Sequence, residues 1–192
     1  MNRVAIKIIG LLIGLSVSFP SSAETSSFNT KLSNSYYYTD HHEIVIDRSA
    51  EEVWKHVINL GSWMYDLAMV HESGPTNGEG EVREGEVLRL YEGQDYFFEV
   101  SKMVYGRLLV GINLPVTTPE GEITEGLAMI TLTESNGKTE VSVFMNRKYS
   151  WPHESPNPAR DTRESEEFAS SRRDTFRRFL VRLRDLSEGQ YR

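Results

Sequence analysis

One long amphipathic segment near the C-terminus constrains the fold more than anything else in this chain. Phe168, Phe176, Phe179, Leu180, Leu183 and Leu186 recur at the three-to-four-residue spacing of a single helix face. Most of what precedes it alternates between apolar and polar residues with the period of β-strands. One helix stripe cannot cover about six strands laid out flat. The sheet must curl around the helix, which makes the fold α+β rather than alternating α/β. Asp161 or Thr162 is expected to cap the helix, and Glu164, Glu166 and Glu167 fall in its first turns, where the helix dipole favours acid. The pattern predicts a helix from about Arg163 to Leu186, with Arg173, Arg177 and Arg184 outside the stripe and Gly189 as its stop. Pro152, Pro156 and Pro158 predict irregular backbone from Ser150 to Arg163.

Upstream, Glu24 to Asn34 is rich in Ser, Thr and Asn and reads as a loose lead-in. A strand is expected at His42 to Asp47, centred on Ile44-Val45-Ile46, and Tyr36-Tyr37-Tyr38 extends toward it. Ser49-Ala50-Glu51-Glu52 has the S-x-x-E form of a capping box. Val53, Trp54, Val57, Ile58 and Leu60 follow at helical spacing. Gly61 is read as the end of that helix, and Ser62 as the cap of a short second one with Trp63, Met64 and Leu67. Strands are then expected at Glu86 to Tyr91, Tyr96 to Val104, Arg107 to Asn113, Ile123 to Thr133 and Thr139 to Tyr149. A loop with Pro115 and Pro119 is expected from Leu114 to Gly121, and Ser135-Asn136-Gly137-Lys138 is a hairpin turn.

Ile44-Val45-Ile46-Asp47-Arg48-Ser49-Ala50-Glu51-Glu52-Val53-Trp54, with Trp63 soon after, resembles the opening of START-like proteins, the polyketide cyclase/dehydrase and birch-pollen-allergen superfamily also called SRPBCC. Gly74-Pro75, Gly80-Glu81-Val82-Arg83 and Gly85 resemble its glycine-rich turn and second hairpin, and the long C-terminal helix matches as well. The resemblance implies a helix-grip fold: a curled antiparallel β-sheet around a long C-terminal helix, two short helices after strand 1, and a hydrophobic cavity. It specifies a fold and leaves function open. No subgroup's catalytic motif is present, so no catalytic residue carries over.

The N-terminus addresses location. Arg3 and Lys7 precede an uncharged apolar run from Ile8 to Phe19; Pro20 and Ser21-Ser22-Ala23 then lead to Glu24. That order predicts an export signal peptide, with a retained N-terminal anchor as the alternative, and its apolar run falls short of the roughly 20 residues of a membrane span. The expected division is 1–23 signal peptide, 24–40 lead-in and 41–189 START-like domain, in a periplasmic or secreted protein cleaved after Ala23. Removing two basic residues and no acidic ones takes the formal charge from −7 to −9. That balance argues against nucleic acid as a partner. The chain has no cysteine, so neither disulfides nor a lipid on Cys are expected.

Among candidate site residues, Arg172 falls in the middle of the apolar stripe. It reads either as an anchor for a ligand carboxylate or phosphate, or as a structural residue that snorkels or pairs with a sheet carboxylate such as Glu125. Arg147 shares the phase of Val141, Val143 and Met145, and reads as inward-facing or as a rim residue. Glu99, between Phe98 and Val100, reads as a cavity acid or, by alternation, as an outward residue. Phe98, Met145, Tyr149, Trp151, Phe168, Phe176 and Phe179 are the expected cavity wall with Arg172, and Trp151 is placed to cover the mouth. The five histidines have no metal-ligand spacing, and Asp40-His41-His42-Glu43 points alternately to opposite faces, so no metal is expected. There is no G-x-S-x-G, P-loop or dinucleotide fingerprint, and no cofactor is expected. The preferred function is binding or carriage of an apolar or amphipathic small molecule, a lipid among the candidates. The alternatives are a cofactor-free cyclase, hydratase or isomerase using Arg172 or Tyr149, and an envelope interaction module with a vestigial cavity.

Overall fold

The computed structural model describes residues 24–32, 35–64, 68–78, 80–91, 95–117, 123–150 and 158–190, with the backbone alone at 24–32, 91, 95, 117, 123–124, 149, 158–166, 168–169 and 172. The expected signal peptide, the loop at 118–122 and the proline-rich segment at 151–157 lie outside these residues.

The chain runs β1 (Glu24–Leu32), β2 (Ser35–Ile46), α1 (Ala50–Val57), α2 (Leu60–Trp63), β3 (Ala68–Ser73), β4 (Val87–Tyr91), β5 (Asp95–Val104), β6 (Leu108–Thr117), β7 (Ile123–Ser135), β8 (Lys138–Ser150) and α3 (Pro158–Ser187). All eight strands form one sheet in the order β1-β2-β8-β7-β6-β5-β4-β3, every pairing antiparallel. The sheet curls, and α3 packs on its concave side, mainly against β2. This is the helix-grip arrangement.

Ser49 caps α1 through the full capping box: its hydroxyl accepts from Glu52 N–H, and the Glu52 carboxylate accepts from Ser49 N–H. Glu134 at the end of β7 accepts from Ala50 N–H at 2.7 Å, which ties the start of α1 to the β7–β8 hairpin. In that hairpin Asn136 and Gly137 have φ of 55° and 73°, the left-handed pair that a two-residue turn between twisted strands requires. At the other end of α3, Asp47 N–H and the Arg48 guanidinium both bond to Glu188, so the helix is fastened where β2 leaves the sheet.

One core joins the concave face of the sheet to the helices. It includes Ile44, Ile46, Val53, Trp54, Val57, Trp63, Leu109, Val141, Val143, Met145, Phe179, Leu180 and Leu183. At roughly 1.5–3 kcal/mol per fully buried large apolar side chain, this core is what holds α3 in the sheet.

Several expectations need correction. The lead-in is not loose: 24–32 is a full edge strand paired residue by residue with β2. A polar composition hides a strand when ladder hydrogen bonds, rather than apolar contacts, supply the order. Gly61 does not end α1. It sits inside α2, which starts at Leu60, and Ser62 Oγ donates back to Asn59 O at 2.7 Å instead of capping a new helix. β3 lacks an apolar alternation strong enough to see in sequence and is mostly exposed. β6 continues through Pro115 to Thr117, with a register shift between Asn113 and Val116 that absorbs the missing N–H. α3 begins at Pro158, earlier than expected, because proline suits the first helical position, where its absent N–H is not needed.

Candidate functional site

Alternation along the strands decides what faces the helix. On β8, Val141, Val143, Met145 and Arg147 share the concave face; on β7, Gly126, Ala128 and Ile130 pair with the last three of these. Val143, Met145 and Arg147, with Ala128 and Ile130, floor a cavity of about 50 Å³. Leu90, Tyr96, Phe98 and Leu109 extend the wall along β4, β5 and β6. Leu60 and Trp63 of α2, Met64 just after it and Phe176 of α3 close it from above. The lining is apolar except at Asn113 and Arg147.

Two glycines shape this space. A Cβ on Gly111 would overlap the Phe98 ring, so the ring lies on bare backbone in the cavity wall. A Cβ on Gly126 would sit 2.7 Å from the backbone oxygen of Asn146, 3.0 Å from Arg147 Cγ and 3.2 Å from Asn113 Nδ2. The missing side chain lets the arginine stem and the amide come together at the polar end.

Beside the cavity, β2 carries a buried row in phase with its core residues: Tyr36, Tyr38, Asp40 and His42 precede Ile44 and Ile46 on one face. Asp40 is fully buried, and Arg173 Nη1 of α3 lies 3.8 Å from its Oδ1, an ion pair longer than a hydrogen bond. Burial pushes the Asp40 carboxyl up from 3.8 to about 6, against the pull of Arg173 and Arg147. His42, also fully buried, stacks on Phe176 with ring centroids 5.9 Å apart. Burial, with the charges of Arg177, His41 and Arg173, lowers its pKa to about 4, so the ring is neutral at pH 7.

The structure sorts the candidate residues. Phe98, Met145 and Phe176 border the cavity. Phe179 is core instead: it packs edge-on against Phe176 at 5.5 Å and is fully buried behind it. The side chains of Arg172, Tyr149 and Phe168, and all of Trp151, lie outside the described residues. Glu125 cannot serve as an inward carboxylate. It faces the convex side and accepts from Lys148 Nζ at 2.7 Å. Arg147 takes its inward alternative. Arg173, expected outside the stripe, is only 23% exposed because it flanks the stripe on the side that meets the polar row of β2. From the sequence, Asp40 and His42 figure only as candidate metal ligands, and Asn113 is passed over. The phase of β2 pointed to the first two, since Ile44 and Ile46 set the inward register; nothing local marks Asn113. His41 and Glu43 pair on the opposite face at 3.3 Å. Among the described residues no group of three His, Asp or Glu is placed to hold a metal ion, and no helix is long and apolar enough to cross a membrane.

No protein-family model and no curated protein matches this chain. Solved structures do. CalU16 from Micromonospora echinospora, in its solution structure, aligns with a TM-score of 0.53 at 11% identity over 90% of this chain and 78% of that one. Protein CV1439 from Chromobacterium violaceum aligns with a TM-score of 0.51 at 14% identity over 78% of this chain and 96% of that one. At such identities the likeness is one of fold alone.

Proposed function

We propose that this chain binds an apolar or amphipathic small molecule, a lipid among the candidates, between the sheet and α3, and that it does so as an exported, periplasmic or secreted member of the START-like superfamily. The observation that carries the reading is the cavity itself, apolar on every side but one and set where the curled sheet and the helix fail to meet. Its wall includes Met64, Met69 and Met145, unbranched side chains that repack at small cost to admit a larger guest. The motif from Ile44 to Trp54 supports the superfamily, and the signal-like N-terminus supports export. An enzymatic reading has less support. Neither Asp40 nor His42, the two buried groups with the most displaced protonation, is among the residues that line the cavity.

A second reading is favoured by size. The cavity of about 50 Å³ is well below the roughly 150 Å³ that holds benzene in a protein core. That fits an interaction module whose cavity is vestigial. Calorimetric titration with 1-hexanol separates the two. The carrier reading expects saturable one-to-one binding to the wild type, lost in Ala128→Leu, which fills the floor, with thermal unfolding unchanged within a few degrees. Absence of saturable binding to the wild type favours the vestigial cavity.

A further inference from the structure

Arg147 is the only charged side chain that lines the cavity among the described residues. A guanidinium on an apolar wall is costly to desolvate unless its donors are used. It presents five N–H donors in a rigid planar fork. Gly126 leaves room for its stem, and the same glycine lets Asn113 reach the same spot. Asp40, on the neighbouring strand β2, feels the charge of Arg147 as well as that of Arg173. A fork and an amide beside an apolar chamber are the recognition chemistry for a carboxylate on a hydrocarbon tail.

We propose that the polar end formed by Arg147 and Asn113 is a carboxylate site, which makes the ligand class of the cavity a monocarboxylic acid with an apolar tail. The inference rests on the cavity being a ligand site, as argued above. The tail lies along Met145, Ile130 and Phe98, and the carboxylate takes the guanidinium fork on one edge and the Asn113 amide on the other. A neutral ligand of the same length gains only the tail contacts.

The test compares hexanoate with 1-hexanol on the full-length exported protein at pH 8, where the acid is ionised. Hexanoate is expected to bind at least about ten-fold tighter than the alcohol, the scale of one charge-assisted pair in a partly enclosed site. Arg147→Met keeps the stem volume and removes the fork; it should bring the two ligands within about two-fold while alcohol binding persists. Arg147→Lys keeps the charge without the fork and should fall between. Where Arg147→Met does not fold, the wild-type nitrogen resonance of Arg147 Nε decides: it should shift with hexanoate and stay in place with hexanol. Equal binding of acid and alcohol to the wild type overturns the carboxylate site and leaves the cavity reading standing. Binding of neither ligand overturns both. An acid preference that survives Arg147→Met, or an unmoved Arg147 resonance at saturating hexanoate, assigns the carboxylate elsewhere and also overturns the proposal.

Discussion

Asp40 and His42 sit two residues apart on one face of β2, and burial drives their protonation in opposite directions. The carboxyl rises from 3.8 to about 6, so the folded state holds its proton more tightly than the unfolded chain does. Its contribution is fully present below about pH 4 and is lost as pH rises to about 6. The imidazole falls from 6.5 to about 4, so the folded state holds that proton less tightly, and its contribution grows as pH rises from about 4 to 6.5. Each shift spans roughly two units, worth about 3 kcal/mol, so the two slopes nearly cancel in the wild type. The charged groups facing them are Arg147 on β8 and Arg173 and Arg177 on α3, with His41 as neighbour in the strand; none of the three arginines changes charge in this range. Urea unfolding at several pH values should therefore show Asp40→Asn gaining about 2–3 kcal/mol relative to wild type between pH 4 and 6.5, and His42→Phe losing a similar amount. Profiles parallel to wild type in both variants would mean that these groups are not buried as described.

At the scale of elements, α3 is held by its stripe and by its C-terminal end. Phe179, Leu180 and Leu183 are fully buried, and the helix foot is bonded to Asp47 and Arg48 through Glu188. Phe179→Ala should cost about 3–5 kcal/mol in chemical denaturation, the range for deleting a buried aromatic. A loss under about 1 kcal/mol would mean the stripe does not face the sheet. β1 is a different kind of element. Its pairing with β2 depends on backbone hydrogen bonds along the whole length, which no apolar periodicity announces. The capping box, the Asn-Gly turn and the helix stripe were legible in sequence because each is encoded within a few residues. The start of α3 at Pro158 was not, since one proline serves equally as a breaker and as a first helical residue.

For the whole molecule, the export reading yields a direct measurement. Intact mass of the protein recovered from the periplasm or medium should correspond to a chain beginning at Glu24. A mass that retains Met1 or Asn2 in that fraction would reject cleavage after Ala23. The proposed site depends on the same whole: six strands, α2 and α3 each contribute to one chamber, so its volume reports on how the sheet curls rather than on any single segment.

By itself the sequence determined the class of fold, because a single helix stripe after a run of alternating segments can be buried only by a sheet that wraps around it. It also determined which face of each well-patterned strand turns inward: Arg147 shares the phase of Val143 and Met145, and Asp40 shares that of Ile44. Only the tertiary structure decided what those inward polar residues meet. Asp40 was brought to Arg173 across the β2–α3 contact, and Arg147 to Asn113 over Gly126, by pairings between residues far apart in the chain. Period-two alternation fixes the face of a residue and carries no information about its partner, which depends on strand register and on how far the sheet curls.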